Sequence, residues 1–175
     1  VVDMLYLFPT SLEAEPFTRL CPDAQVVISG VGMAATAATL ASLHTSGGLD
    51  GECVVLAGIA GAYGDSVSRG EVVEVVSETT IELPQRFRQC YRNEPFTELR
   101  KVHSNSVHRT VVDAEGADVE NMEGASLFAL CSTMGVRCVE IRAVSNRVGE
   151  EFSSWCVDEA LENLALTLKD LFVDK

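Results

Sequence analysis

The sequence predicts one α/β domain in three layers, with helices on both faces of a mostly parallel or mixed central sheet. Three observations carry this. A chain of 175 residues fits a single domain and is long enough to bury a full core. The composition is 47% hydrophobic with only 6% aromatic residues and 5 prolines, which is globular and points to a core of Val, Leu and Ala. Apolar runs of strand length alternate with segments of helical spacing, the order expected of strands paired mainly in parallel.

Met4 to Phe8 is a short apolar run bounded by Pro9, and Val26 to Ser29 is a second that ends at Gly30; both read as buried strands. Between them Leu12, Pro16, Phe17 and Leu20 recur at helical spacing, and the Ala-rich stretch Met33 to Leu43 predicts a helix of high intrinsic propensity. Further strands are expected at Cys53 to Ala57, stopping at Gly58, and at Glu71 to Val76 after a turn around Gly64 to Gly70. Thr79 to Thr110 is polar, carries Pro84 and Pro95 and has no clean period, so loops and short pieces are expected there. Met122 to Met134 fits a mostly buried helix ended by Gly135, and Cys138 to Val144 another buried strand. Trp155, Leu161, Leu164, Leu168 and Leu171 mark an amphipathic helix from about Trp155 to Phe172. No internal repeat competes with this order.

Composition also excludes partners. With 13 Lys plus Arg against 26 Asp plus Glu the formal charge is −13, so nucleic acid would be repelled over most of the surface. A small neutral nucleoside is not excluded by that field. The six cysteines lack any C-x-x-C pair and several sit in apolar runs, as reduced core thiols do. The three histidines lack metal spacing with them, so no metal is expected. No stretch approaches ~18 apolar residues and no signal peptide precedes Leu5, so the expectation is a cytoplasmic protein that does not enter a membrane.

In such a fold ligands sit at the carboxyl ends of strands, which directs attention to Phe8–Glu13, Ser29–Met33, Ala57–Gly61 and Ser145–Asn146. Gly30-Val31-Gly32-Met33-Ala34-Ala35 matches G-x-G-x-x-A. The acid that would hold a dinucleotide ribose at the end of the next strand is missing, because Asp50 and Glu52 precede that strand. Gly30 and Gly32 are therefore read as a tight turn near the ligand, able to offer amide donors. A serine-hydrolase elbow fails at Gly64-Asp65-Ser66-Val67-Ser68, whose last position is not glycine.

The specific signal is Val119-Glu120-Asn121-Met122-Glu123-Gly124-Ala125 together with Arg142-Ala143-Val144-Ser145-Asn146. On these segments the chain resembles the purine nucleoside phosphorylase and nucleosidase superfamily, most closely its futalosine hydrolase branch. Ile28–Ala41, Leu56–Val75 and Ser145–Leu164 fit the same family in order, while about Thr79 to Thr110 looks shorter than in typical members. The resemblance implies a nucleoside phosphorylase-like fold, a purine nucleoside substrate, a homo-oligomer such as a dimer, and no metal or organic cofactor.

The residue types suit the chemistry. Cleaving a ribosyl C–N bond builds positive charge on the sugar and negative charge on the departing base, so both ends need stabilising. The resemblance implies that Glu123 accepts both ribose hydroxyl protons, with Met122 packed against the sugar, and that Gly58, Ile59, Ala60, Gly61, Asn121 and Ser145 surround the base. Asn146 is the expected reader of the base. Its amide accepts from a protonated N7 and donates to a 6-oxo group, whereas adenine would set a donor against a donor. The arginine that phosphorylases carry before the glycine-rich segment is absent from Val55-Leu56-Ala57, which favours water as the nucleophile. Glu13, or Glu15 if the Pro9-Thr10 turn is aligned differently, would orient or deprotonate it. A 5′ carboxylate would need a cation, for which His44, Arg86, Arg88 and His108 are the candidates.

Overall fold

The computed structural model describes residues 3–174. Strands and helices follow in the order β1 (Met4–Phe8), α1 (Ser11–Leu20), β2 (Gln25–Ile28), α2 (Met33–Thr45), β3 (Cys53–Ala62), β4 (Val72–Thr79), β5 (Cys90–Arg92), β6 (Lys101–Ser106), β7 (Val119–Asn121), α3 (Gly124–Met134), β8 (Arg137–Arg147) and α4 (Val157–Leu168).

The eight strands form one mixed sheet. β2, β1, β3 and β8 lie side by side in parallel, with Leu7 opposite Leu56 and Leu56 opposite Glu140. β8 then pairs antiparallel with β4, β4 in parallel with β6, β6 in parallel with β7, and β7 antiparallel with the end of β3. The path from β3 back to β3 closes a five-stranded ring.

Residues on β3 divide the core in two because successive side chains point to opposite faces. Val54 and Leu56 join Leu5, Leu7, Leu40, Leu127 and Phe128 beneath α2 and α3. Val55 and Ala57 join Phe8, Phe17, Ile141, Leu161 and Leu164 beneath α1 and α4. Strands buried on both faces read as continuous apolar runs, which is why β1, β3 and β8 are evident in the sequence; β2, expected as a buried strand, is instead the edge of the sheet, with Gln25 and Ile28 exposed and Val26 and Val27 half-buried. The three layers are those expected.

Four boundaries differ from the sequence reading. β3 does not stop at Gly58 but runs to Ala62, because its glycines face crowded neighbours and do not turn the chain. The segment from Thr79 to Thr110 contributes β6, an interior strand of the ring; its polar residues Ser104, Asn105 and Ser106 are buried by hydrogen bonding and not by apolar packing, so no hydrophobic period marks it. α3 begins at Gly124, not Met122, because Glu120 and Asn121 belong to β7. α4 begins at Val157 and passes into a wider turn at Lys169–Val173, leaving Trp155 outside the helix.

Candidate active site

A cleft of about 310 Å³ opens at the carboxyl ends of β1, β3 and β8. On its floor Thr10 caps α1, its Oγ1 accepting from the Glu13 amide at 3.2 Å and donating to Glu13 Oε2 at 2.7 Å. The Ile59 amide donates to Glu13 Oε1 at 3.1 Å. Glu13 is thus buried, held from both oxygens, and still lines the cleft. Burial pushes its carboxyl above the ordinary glutamate range, against the opposing pull of the Thr10 and Ile59 hydrogen bonds and of Arg142.

Gly58 explains how Arg142 comes near. A Cβ on Gly58 would lie 2.7 Å from Arg142 Nη1 and 2.8 Å from Glu13 Oε1, so only glycine lets both groups meet over β3. Arg142, fully buried, donates through Nε to Glu140 at 2.8 Å and through Nη2 to Glu123 Oε2 at 3.1 Å and Asn121 Oδ1 at 2.9 Å. Burial alone would push its guanidinium down; Glu140 and Glu123 more than reverse that.

Glu123 is fixed from two sides, since its Oε1 accepts from the Gly32 amide at 3.0 Å. Asn121 Oδ1 accepts from the amides of Glu123 and Gly124, both at 2.9 Å, and so sets the direction in which α3 starts. Behind them, inside the ring, Glu78 takes hydrogen bonds from Asn121 Nδ2 and from Ser106 Oγ, the latter at 2.6 Å. Glu78 Oε1 and Glu140 Oε2 lie 2.2 and 2.4 Å from the point where a Gly124 Cβ would sit. Glu140 Oε2 is sealed without another partner. Both carboxyls are driven upward, first by burial and, for Glu78, by the charge on Glu140. Arg142 opposes the rise at both and bonds Glu140 directly, so the protonated form is favoured more at Glu78 than at Glu140.

A bulge builds the opposite wall. Ala60 pairs with Val144, and Gly61 with Asn146, so Ser145 is the extra residue on β8 and Asn146 is re-aimed into the cleft. Gly61 has no side chain to block it: a Cβ there would be 3.2 Å from Asn146 Nδ2. Ser145 Oγ donates to Asn146 Oδ1 and Asn146 Nδ2 donates to the Arg147 carbonyl, each at 2.9 Å. One acceptor lone pair and one amide hydrogen remain. Phe152 and Trp155, with ring centroids 5.1 Å apart, close this end.

Glu13, Glu123, Met122, Asn121, Ile59, Ala60, Gly61, Ser145 and Asn146 all line this one cleft. Gly58 lies beneath it. Of the glycine turn, only Val31 reaches the cleft; Gly30 and Gly32 hold φ of 82° and 95°, and the Gly32 amide is spent on Glu123. Glu15 is not in the site: its side chain is 67% exposed and 3.9 Å from Arg19. His44 borders a separate hollow with Arg137, Arg86 stacks on Phe87, Arg88 pairs with Glu115, and His108 is exposed outside the cleft. The cation at the cleft is Arg109. Sequence reasoning missed Arg109, Glu120 and the role of Arg142. The last stood in the quoted motif, where a buried arginine between Ile141 and Ala143 in an apolar strand was itself a signal. Among the described residues no three His, Cys, Asp or Glu side chains form a metal-binding group, no helix is long and apolar enough to cross a membrane, and all six cysteines are free.

Residues 94–172 match the family model described as the phosphorylase superfamily. The futalosine hydrolase of Thermus thermophilus is 30% identical, the alignment covering 98% of this chain and 96% of that protein. This chain belongs to the purine nucleoside phosphorylase and nucleosidase superfamily. Solved members of the superfamily share its fold: a futalosine hydrolase mutant of Helicobacter pylori superposes with a TM-score of 0.82 at 16% identity over 97% of each chain. The 5′-methylthioadenosine/S-adenosylhomocysteine nucleosidase of the same organism gives 0.82 at 15% over 96% of each. The polar middle segment supplies Val107, Arg109 and Thr110 to the cleft wall.

Proposed function

We propose that this chain is a nucleosidase that hydrolyses the N-glycosidic bond of a purine nucleoside, preferring a 6-oxopurine such as futalosine or an inosine-like compound. The observation that carries the reading is the convergence of Glu13, Glu123 and Arg142 on one side of the cleft with Asn146 on the other.

Glu123, its carboxylate aimed by Gly32 and Arg142, accepts the ribose hydroxyls and stabilises the sugar as it becomes cationic. Met122 packs against the sugar. A water on the Glu13 side bonds to the anomeric carbon and gives its proton to Glu13, while the purine, which takes a proton from solvent at N7, leaves with the electron pair of the breaking C–N bond. The free lone pair and free amide hydrogen of Asn146 match a protonated N7 and a 6-oxo oxygen.

Water is favoured over phosphate by charge. Although β3 carries no cation before Gly58, Arg142 arrives there from β8; its charge is already met by Glu140 and Glu123, with Glu13 adjacent. A phosphate dianion would face carboxylates. A second copy of the chain is the proposed cover for the mouth, where Leu12, Val31 and Phe152 are 61%, 53% and 73% exposed.

The test is release of free base from futalosine, inosine, adenosine and methylthioadenosine, each with and without phosphate. Hypoxanthine release that phosphate does not stimulate is expected. Faster release of adenine moves the assignment to an adenine-type nucleosidase, dependence on phosphate to a phosphorylase, and no release from any of them to a nucleoside-binding protein without catalysis.

A further inference from the structure

α3 starts without help from its own N-cap side chain. A helix leaves its first backbone N–H groups without intrahelical partners, and the N-cap side chain ordinarily takes one of them. Glu123 occupies that position but makes no such bond; its carboxylate is turned to Arg142 and the Gly32 amide, at the cleft. The N–H groups go elsewhere. Asn121 Oδ1 takes those of Glu123 and Gly124, both at 2.9 Å, and Ser106 Oγ takes that of Ala125 at 2.8 Å.

Both substitutes lean on one carboxyl. Ser106 Oγ donates to Glu78 Oε2 at 2.6 Å, while Asn121 Nδ2 donates to Glu78 Oε1 and to Ser104 Oγ, the latter at 2.9 Å. Three backbone amides at the start of α3 are therefore tied, through side chains on β6 and β7, to a single residue on β4. Glu78 is fully buried and does not line the cleft. It also presses on the same turn, since a Cβ on Gly124 would lie 2.2 Å from its Oε1.

We infer that Glu78 is a positioning residue for the ribose carboxylate: by anchoring Asn121 and Ser106 it fixes the first turn of α3, and so holds Glu123 at the sugar with its side chain free of capping. The inference rests on the reading of Glu123 as the acceptor of the ribose hydroxyls. It also accounts for the polar character of β6, whose Ser104 and Ser106 are spent on this anchor. A shift of ~1 Å in a group that must meet the substrate costs about 100-fold in rate, and a carboxylate that stabilises a cationic sugar is missed more in the transition state than in the ground state.

Removing the hydroxyls separates an effect on the sugar from an effect on the fold. Hypoxanthine release is measured from inosine and from 2′,3′-dideoxyinosine, which has no hydroxyls for Glu123 to hold, with wild type, Glu78→Ala, Glu78→Gln and Glu123→Ala. Glu78→Ala should lower kcat/KM for inosine about 10- to 100-fold, chiefly through kcat, and for dideoxyinosine less than about threefold. Glu78→Gln should recover most of that loss. Its oxygen stays with Ser106 and its NH2 faces Glu140 Oε2, an acceptor without a partner among the described residues, so only the Asn121 link is broken. If Glu78→Ala does not fold, Glu78→Gln and Ser106→Ala, each breaking one of the two links, should each lower the inosine-to-dideoxyinosine ratio about threefold or more. Equal losses on both substrates, or a ratio that does not move, reduce Glu78 to a support of the fold and overturn the inference. If the ratio also survives Glu123→Ala, the ribose reading of Glu123 falls and takes this inference with it. If it collapses in Glu123→Ala but not in the Glu78 variants, only this inference fails.

Discussion

Gly124→Ala should destabilise the protein although it replaces glycine within a helix. Gly124 opens α3 and its φ lies outside the left-handed region, so by backbone entropy alone alanine would add about 1 kcal/mol of stability. The methyl group would instead lie 2.2 Å from Glu78 Oε1, 2.6 Å from Glu78 Cδ and 2.4 Å from Glu140 Oε2. These are not free chain ends: Glu78 is held by Ser106 and Asn121, and Glu140 by Arg142. Overpacking costs ~1–3 kcal/mol, and separating a buried charged group from its partner ~3–5 kcal/mol. Taken together and set against the helix gain of about 1 kcal/mol, the net loss is about 3–7 kcal/mol, which for a domain of this size lowers Tm by roughly 6–28 °C. Thermal and urea unfolding of the purified variant measure it, and combining Gly124→Ala with Glu78→Ala should restore part of the loss through a positive coupling in a double-mutant cycle. A Gly124→Ala protein as stable as wild type, or more so, would refute the packing of the carboxyl pair against α3.

Glu13→Gln should reduce turnover at least ~100-fold while Glu15→Gln leaves it unchanged; comparable rates for the two variants would remove Glu13 from the mechanism. Because the base must be ionised and burial raises the Glu13 carboxyl, kcat/KM should fall with decreasing pH from a midpoint above the ordinary ~4.3 of glutamate; a profile flat through that region contradicts the assignment. Asn146→Asp, whose protonated form donates to N7 and accepts from a 6-amino group, should raise the adenosine-to-inosine ratio of kcat/KM by about tenfold or more, and no change would show that this position does not read the base. Glu78 holds its proton in the folded state at pH values where the unfolded chain has lost it. The folded state therefore binds more protons, and stability falls as pH rises from the ordinary carboxylate range toward the folded value. Glu78→Gln should flatten that slope in urea titrations between about pH 5 and pH 8; parallel profiles would count against a proton on Glu78.

The apolar runs and their spacing were enough to give β1, β2, β4, β8 and all four helices within a few residues; for β1 and β8 this is because strands buried on both faces are written in continuous apolar residues, whereas β2 proved a half-exposed edge strand. The candidate residues Glu13, Met122, Glu123 and Asn146 were legible through the Asn121-Met122-Glu123 and Ser145-Asn146 segments and through the position of Glu13 after the first strand. What the sequence could not separate were residues of like type at neighbouring positions. Glu13 and Glu15 differ only in that helical geometry buries one against Ile59 and exposes the other beside Arg19.

Tertiary structure alone decided the rest. Closure of β3, β8, β4, β6 and β7 into a ring depends on registers between strands far apart in the chain, one of them polar and without period. That closure brings Glu78, Glu140 and Arg142 into one dry space, where burial raises both carboxyls, and it sets Glu120 and Asn146 on either side of Gly61. Local sequence determines which backbone a segment adopts and which face it buries; the pairing of distant carboxyls, and the widths between them, exist only once the ring has closed.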